Sequence, residues 1–341
     1  MRITKKILVP FEQMSYLAQV KRLRELASLA LKFYALKGAT LEFISHGENA
    51  TFKVTSKHNE KFLLRIHRKD YHSQPALLEE LRWLELLSLQ GLNVPKPVNN
   101  QFGNCLTKVF HPAIGERSCD LFYWIEGRFL SKSISESDML DIGALLAKIQ
   151  SHGRKLNGRY RKYWTSEGLV GVDPKFGSID QLNILRKDEQ RKLTKIRKTL
   201  LSKLKIYEKR FPKKMGMIHA DLHFGNLLKT KSGAIAAIDF DDSGHGFYIY
   251  DLVIPLIGLE HHLKLHKRFH SYRPLKKALL KGYSSIAELN AYDLDLLQDL
   301  IIARKLLMIG WLHSRSDNPK LQKRLSKYTK QTLKYITNPY L

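Results

Sequence analysis

The sequence predicts an α+β protein of two lobes, a small antiparallel β-sheet lobe followed by a larger helical lobe. Three observations carry that prediction. Short segments rich in Thr, Phe, Ile, Val and Leu crowd between residues 40 and 67, separated by polar turn-forming residues. Helical apolar spacing dominates the chain after Ser137. The length of 341 residues suffices for two lobes around a cleft, and 43% hydrophobic residues supply a sizeable core and exclude global disorder.

The elements follow in order. Leu17, Val20, Leu23, Leu26 or Ala27, and Ala30 or Leu31 mark a helix within residues 14–36, stopped by Gly38. Residues 40–45, 51–55 and 61–67 read as three antiparallel strands, joined through His46-Gly47-Glu48-Asn49 and Lys57-His58-Asn59-Glu60. Pro75 opens a helix from Ala76 to about Leu89, with Leu77, Leu81, Leu84 and Leu87 on one face. Gly91 ends it, and Pro95 and Pro97 enforce an extended exit. Residues 104–110 and 120–125 read as two more strands. Helices are then expected from Met139 to about His152, from about Ser178 to Arg210, and twice between about Asp293 and Tyr335. This order divides the chain into residues 1–120, a crossing segment at 121–127, and residues 128–341.

Composition narrows the class. Two cysteines, Cys105 and Cys119, argue against a disulfide scaffold and fit a reducing compartment. No apolar run is long enough to span a bilayer. The start is basic and then apolar, but Pro10 and Glu12 interrupt it too soon for a signal peptide. A cytoplasmic enzyme is therefore expected. Lys and Arg total 58 against 32 Asp and Glu, a net +26. That balance suits an anionic substrate, nucleic acid or an anionic membrane, and equally a plain solvated surface. It is densest in Arg186–Lys214, which holds thirteen basic and three acidic residues. There the apolar stripe says helix on a core, and the outer charges form either a solvated face or a dock for an anionic partner.

The chemistry lies in two segments. Ile218-His219-Ala220-Asp221-Leu222-His223-Phe224-Gly225-Asn226 is followed, thirteen residues after Asn226, by Asp239 in Ile238-Asp239-Phe240-Asp241-Asp242. Together they offer one carboxylate for a substrate hydroxyl, and an amide plus a second carboxylate for magnesium. A phosphoryl-transfer enzyme needs those groups, because it works by positioning and by neutralising phosphate charge. Leu227-Leu228 begins one strand and Ala234–Ile238 forms another, with a hairpin turn at Ser232-Gly233. That hairpin brings Asn226 and Asp239 close enough to share one ion, and both supply the hard oxygen ligands that magnesium takes.

These segments resemble the catalytic loop and metal-binding motif of the aminoglycoside phosphotransferase/choline kinase group, which has the protein-kinase-like fold. The run Ile238–Gly244 followed by Tyr250-Asp251-Leu252 is most similar to stress-response kinase A and its relatives. The order of elements extends the resemblance over roughly residues 40–260. It implies that Asp221 is the catalytic base and that Asn226 and Asp239 bind magnesium. His219 and Asp251 would brace the loop by hydrogen bonds, and Asp241 and Asp242 would assist the metal or the loop. His223 would touch substrate or stay a solvated loop residue.

On the nucleotide side such kinases pair a strand cation with a helix Glu. The inward cation at mid-strand in residues 62–68 is Arg65, standing where most kinases have Lys; Arg grips phosphate bidentately and keeps its charge. Its partner would be Glu80, with Glu79 next. The loop containing Gly47 and Asn49 would cover the phosphates, with one Gly rather than the three of a protein-kinase loop. Trp124, within Leu121–Gly127, belongs to the crossing segment that would receive adenine. The expected activity is ATP- and magnesium-dependent transfer of a phosphoryl group to a hydroxyl, on a small molecule or on protein Ser/Thr. The alternative is a non-catalytic basic protein of the same fold that binds nucleic acid or membranes. Intact Asp221, Asn226 and Asp239 argue against it.

Overall fold

Side-chain alternation decides how the N-terminal sheet is used. In the computed structural model, which describes residues 10–337 apart from 131–133, 155, 157, 173, 175, 181, 183 and 317, helix α1 (Tyr16–Ala30) starts where the Ser15 side chain accepts from the Ala18 amide. The basic start, on which the signal-peptide reading rested, lies largely outside the described residues. Strands β1 (Thr40–His46), β2 (Ala50–Thr55) and β3 (Lys61–Ile66) form an antiparallel meander. Helix α2 (Gln74–Leu89) begins at an Ser73 cap with Pro75 in its first turn. Strands β4 (Thr107–His111) and β5 (Gly115–Tyr123) complete a five-stranded antiparallel sheet of order β1-β2-β3-β5-β4.

One face of this sheet carries Phe52, Val54, Phe62, Leu64 and Leu121, which share a core with Leu23, Leu26, Ala27 and Ala30 of α1. The period of two sends the next residues to the opposite face. There Arg65 lies opposite Thr51 on one side and Asp120 on the other. The first helix packs the apolar side of the sheet, which leaves the polar side to α2.

The strand expected at 120–125 starts earlier, at Gly115. That glycine has φ +79° in the tight turn after His111, so β5 begins at once. Its first residues, Gly-Glu-Arg-Ser-Cys, carry no apolar alternation to announce a strand.

The chain divides into two compact units, ending at Gly127 and starting at Arg128. The second unit opens with β6 (Arg128–Phe129) and α3 (Glu136–Gly153), which starts in a capping box between Ser135 and Asp138. Next come β7 (Lys162–Trp164), α4 (Ser166–Val170), α5 (Lys187–Arg210) and β8 (Met215–Ile218). The hairpin β9 (Leu227–Lys229) and β10 (Ile235–Ala237) pairs with β6, and β11 (Gly244–Phe247) lies between β7 and β8. Four helices finish the unit: α6 (Tyr250–Leu265), α7 (Tyr272–Ser284), α8 (Ala291–His313) and α9 (Pro319–Thr337).

Helix α5 begins at Lys187, later than the expected Ser178. The Ser178 hydroxyl accepts from the Asp180 amide, a local bond that competes with helix, and Asp180 is then gripped by Thr194 and Arg197. Helices α3 and α7 touch backbone to backbone. A Cβ on Gly143 would stand 2.0 Å from the Leu279 carbonyl oxygen, and one on Gly282 1.9 Å from that of Leu140. Among the described residues no helix is long and apolar enough to cross a membrane.

Candidate active site

In the first unit the polar sheet face gathers a buried charge cluster. Arg65 is 5% exposed. Its guanidinium meets Glu80 of α2 at 2.8 Å and holds both carboxylate oxygens of Asp120, through Nε at 3.0 Å and an Nη at 2.7 Å. It also lies 5.1 Å from the centre of the Phe122 ring. His67 Nε2 reaches the same Asp120 oxygen at 2.8 Å. Burial alone would raise the Asp120 pKa, but Arg65 and His67 hold it down at about 2. Asp120 therefore holds the Arg65 fork with two bonds, and Glu80 adds a second buried carboxylate as an ion pair.

Gly47 and Asn49 sit in the turn between β1 and β2, where the Gly47 amide donates to the Asn49 carbonyl at 3.0 Å. The turn is tied to the end of β3 by a Glu48–Arg68 ion pair of 2.8 Å. Trp124 follows β5. Its amide donates to Lys61, and the ammonium of Lys53 lies 5.2 Å from its ring centre.

In the second unit β8 delivers the loop that carries Asp221. Asp251, at the start of α6, is fully buried. Its two oxygens accept the backbone amides of His219 (3.0 Å) and Ala220 (2.7 Å), and the Gln150 amide at 3.0 Å. Even with these three bonds, burial pushes its pKa up to about 6. The grip holds Ala220 at φ +67°, a left-handed conformation that costs a non-glycine residue on the order of 1 kcal/mol or more. Burial pulls the pKa of His219 down to about 4, so its imidazole is neutral near pH 7. A neutral ring donating from Nε2 to the Ile238 carbonyl (3.1 Å) leaves Nδ1 as an acceptor for the Asp221 amide. His219 thus ties the Asp221 loop to the segment leading into Asp239.

The Asp221 carboxylate itself is gripped by a residue the motif does not contain. Arg304 of α8 donates to Asp221 Oδ1 at 2.8 Å and to the Tyr250 hydroxyl at 3.2 Å. The other oxygen, Oδ2, is 3.7 Å from His223 Nε2 on an exposed ring. Burial raises the Asp221 pKa from its ordinary value, while Arg304 and His223 oppose the rise.

Asn226 is buried, and its amide nitrogen donates to the Asp221 carbonyl at 3.0 Å, so its Oδ1 is the end of the amide that could take a cation. Its own carbonyl accepts from Ile238, one step beyond the Leu227–Ala237 pair of the hairpin. Asp239 follows, exposed and at φ +63°. An amide oxygen and a carboxylate at the two ends of a paired hairpin are the donor types that a hard divalent ion shared with phosphates takes.

The next two acids separate in the structure. Asp242 is ion-paired to Lys162 at 2.5 Å, and the Arg161 guanidinium gathers the carbonyls of Phe240, Asp241 and Ser243. Asp242 thus has a structural partner, and Asp241 is buried.

Residues 40–281 match the phosphotransferase enzyme family (APH). The chain belongs to that family. It is a phosphotransferase, a kinase with a hydroxyl acceptor, and its fold is the kinase-like α+β fold. It is similar to the amicoumacin kinase of Bacillus subtilis (strain 168), 24% identical over 307 residues that cover 83% of each chain. Among solved structures it resembles a microcompartment-associated aminopropanol kinase, with TM-score 0.78 and 28% identity over 92% of this chain and 98% of that one. It also resembles an amicoumacin kinase in complex with AMP-PNP and Ca2+, with TM-score 0.74 and 22% identity over 94% and 96% of the two chains.

Of the residues singled out in the sequence, Arg65 and Glu80 meet in the first unit, and Asp221, Asn226 and Asp239 lie on adjoining loops of the second. Sequence reasoning missed Asp120, His67 and Arg304. Asp120 opens a segment expected to be a strand, but only the β3–β5 register sets it beside Arg65. The one signal for Arg304 was the cation pair Arg304-Lys305 inside the otherwise apolar stretch Leu300–Leu307.

Proposed function

We propose that this phosphotransferase moves the γ-phosphoryl group of ATP, with magnesium, onto the hydroxyl of a small molecule. The observation that carries the reading is the Asp221 carboxylate, held at Oδ1 by Arg304 in a loop anchored on Asp251, with Oδ2 beside the exposed His223 ring. Asp221 orients the hydroxyl and takes its proton as the acceptor oxygen bonds to the γ-phosphorus. The bond from that phosphorus to the β–γ bridging oxygen breaks, and ADP leaves. Asn226 Oδ1 and Asp239 would hold the magnesium, which when bound neutralises phosphate charge. In the first unit Arg65, fixed by Glu80 and Asp120, is the proposed phosphate cation, and Gly47, Asn49 and Trp124 are the proposed nucleotide contacts. Use of ATP suits the cytoplasm.

A small acceptor is supported by the relatives, whose names give amicoumacin and aminopropanol as substrates. A second reading, a protein Ser/Thr acceptor, is favoured by the likeness of Ile238–Gly244 and Tyr250–Leu252 to stress-response kinase relatives. The test is magnesium–ATP turnover against pooled amino alcohols, hydroxy amino acids and sugars, beside a generic protein substrate. We expect transfer to the small-molecule pool. In Asp221→Asn transfer should fall about 10²–10⁴-fold while nucleotide affinity holds. Labelling of protein alone would select the second reading, and wild-type turnover in Asp221→Asn would remove Asp221 from the mechanism.

A further inference from the structure

A cavity of about 460 Å³ lies within the second unit, on the side of β8 where the strand begins, whereas the Asp221 loop leaves from its other end. This volume falls within the range of small-molecule sites, about 300–1,000 Å³. Its inner wall is apolar and aromatic, made by Ala147, Met215, Tyr248, Tyr283 and Ala287. Its outer wall is cationic, with Arg154, Lys213 and Lys214 against the single carboxylate of Glu288. Lys214 is engaged in the wall, donating to the Glu288 carbonyl and to Asp293. Arg154 bonds the Tyr248 hydroxyl. Lys213 is exposed and has no ion-pair partner among the described residues.

The back of the cavity is wired to the catalytic loop. The Tyr283 hydroxyl donates to Gln150 Oε1 at 2.6 Å. Gln150 Nε2 donates to the Tyr248 carbonyl at 2.9 Å and to Asp251 Oδ2 at 3.0 Å. Asp251 in turn holds the amides of His219 and Ala220, the two residues before Asp221. Gln150, Tyr283, Asp251 and His219 are all buried, so water cannot replace a bond lost from this chain without rearrangement. The α3 and α7 backbones that carry Gln150 and Tyr283 are locked together at Gly143 and Gly282, which keeps the wall in register.

We infer that this cavity is an effector site for a small amphipathic anion, a carboxylate or phosphate head on an apolar body. The head lies against Lys213 and Arg154, and the body against Tyr248 and Tyr283. Occupancy is read out at the catalytic loop through Gln150 and Asp251. The site is separate from the acceptor position at Asp221, and its binding assay does not depend on which acceptor the enzyme uses.

The test uses the full chain and four probes: benzoate, phenyl phosphate, inorganic phosphate and benzyl alcohol. Calorimetry and thermal melting should show saturable binding of benzoate or phenyl phosphate, little of inorganic phosphate, and none of the neutral alcohol. Lys213→Glu, an exposed change that leaves the core intact, should weaken binding at least tenfold. Ala287→Trp, which fills the cavity, should abolish it. Hydrogen exchange at the His219 and Ala220 amides should change on binding. Phosphate binding as tightly as phenyl phosphate would assign an anion site without an apolar body and overturn the proposal. So would binding indifferent to both variants, or the absence of saturable binding by any probe. Binding with unchanged exchange at His219 and Ala220 would overturn the coupling.

Discussion

The Asp221–Arg304 pair sets a clear test at the scale of single residues. A general base works as the carboxylate, so its activity falls as pH drops through its pKa. Burial raises that pKa and Arg304 lowers it. Removing the cation takes away the larger of the two opposing influences and leaves only His223 against burial. In Arg304→Gln the acid limb of kcat/KM should therefore move to higher pH, whereas Arg304→Lys should restore part of the difference. An unmoved limb in Arg304→Gln would mean that Asp221 does not titrate in the rate. A second test separates two cations on one sheet face. Arg65 is clamped by two buried carboxylates, and Lys53 stands 27% exposed by Trp124. Arg65→Ala would strand Glu80 and Asp120, an uncompensated burial worth about 3–5 kcal/mol, so the informative change is Arg65→Lys, which keeps a charge but loses the fork. We expect the ATP KM to rise more in Arg65→Lys than in Lys53→Ala. The reverse order would assign the phosphates to Lys53.

At the scale of elements, the crossing of α3 and α7 decides the sign of a substitution that propensity alone would misjudge. Gly to Ala inside a helix ordinarily gains up to about 1 kcal/mol. At Gly282 the new Cβ would meet the Leu140 carbonyl at 1.9 Å, and a backbone atom cannot swing away. Gly282→Ala should therefore destabilise by about 1–3 kcal/mol in a urea melt, the range of overpacked cores. A stabilised variant would show that the helices can part. The same reasoning explains what was legible in the sequence. The meander β1–β3, helix α2 and the hairpin β9–β10 announce themselves through local alternation, caps and turns. Asp221, Asn226 and Asp239 are legible because a loop and a hairpin fix them within a short stretch of chain. Arg304 was not, because its partner is 83 residues away in sequence and only helix packing brings them together. Asp120 was placed in a strand but not paired with Arg65, since register is a property of two segments. The start of α5 was misjudged because a local hydroxyl bond at Ser178 overrode the helical pattern.

For the whole molecule the question is what a net charge of +26 does. The basic stretch that becomes α5 divides in the structure. Arg197 is buried, forked onto Asp180 and bonded to the carbonyls of Val170 and Gly171, so it belongs to the core. Arg186, Lys203, Lys205 and Lys214 pair with acids. The exposed remainder includes Arg191, Lys195, Lys198 and Lys209. Such charges act over about 8 Å at physiological salt, too short a reach to guide a small acceptor from a distant helix face, though many together attract a polyanion. Two reversals separate these effects, Arg191→Glu/Lys195→Glu and Lys198→Glu/Lys209→Glu. Each should lower the salt needed to elute the protein from heparin and leave ATP and acceptor kinetics within about twofold, because neither pair holds a catalytic or core contact. The sign follows from the exchange of two positive for two negative charges on one solvated face. A drop in acceptor kcat/KM of fivefold or more at low salt, relieved as salt rises, would instead place this face on the acceptor's route to Asp221.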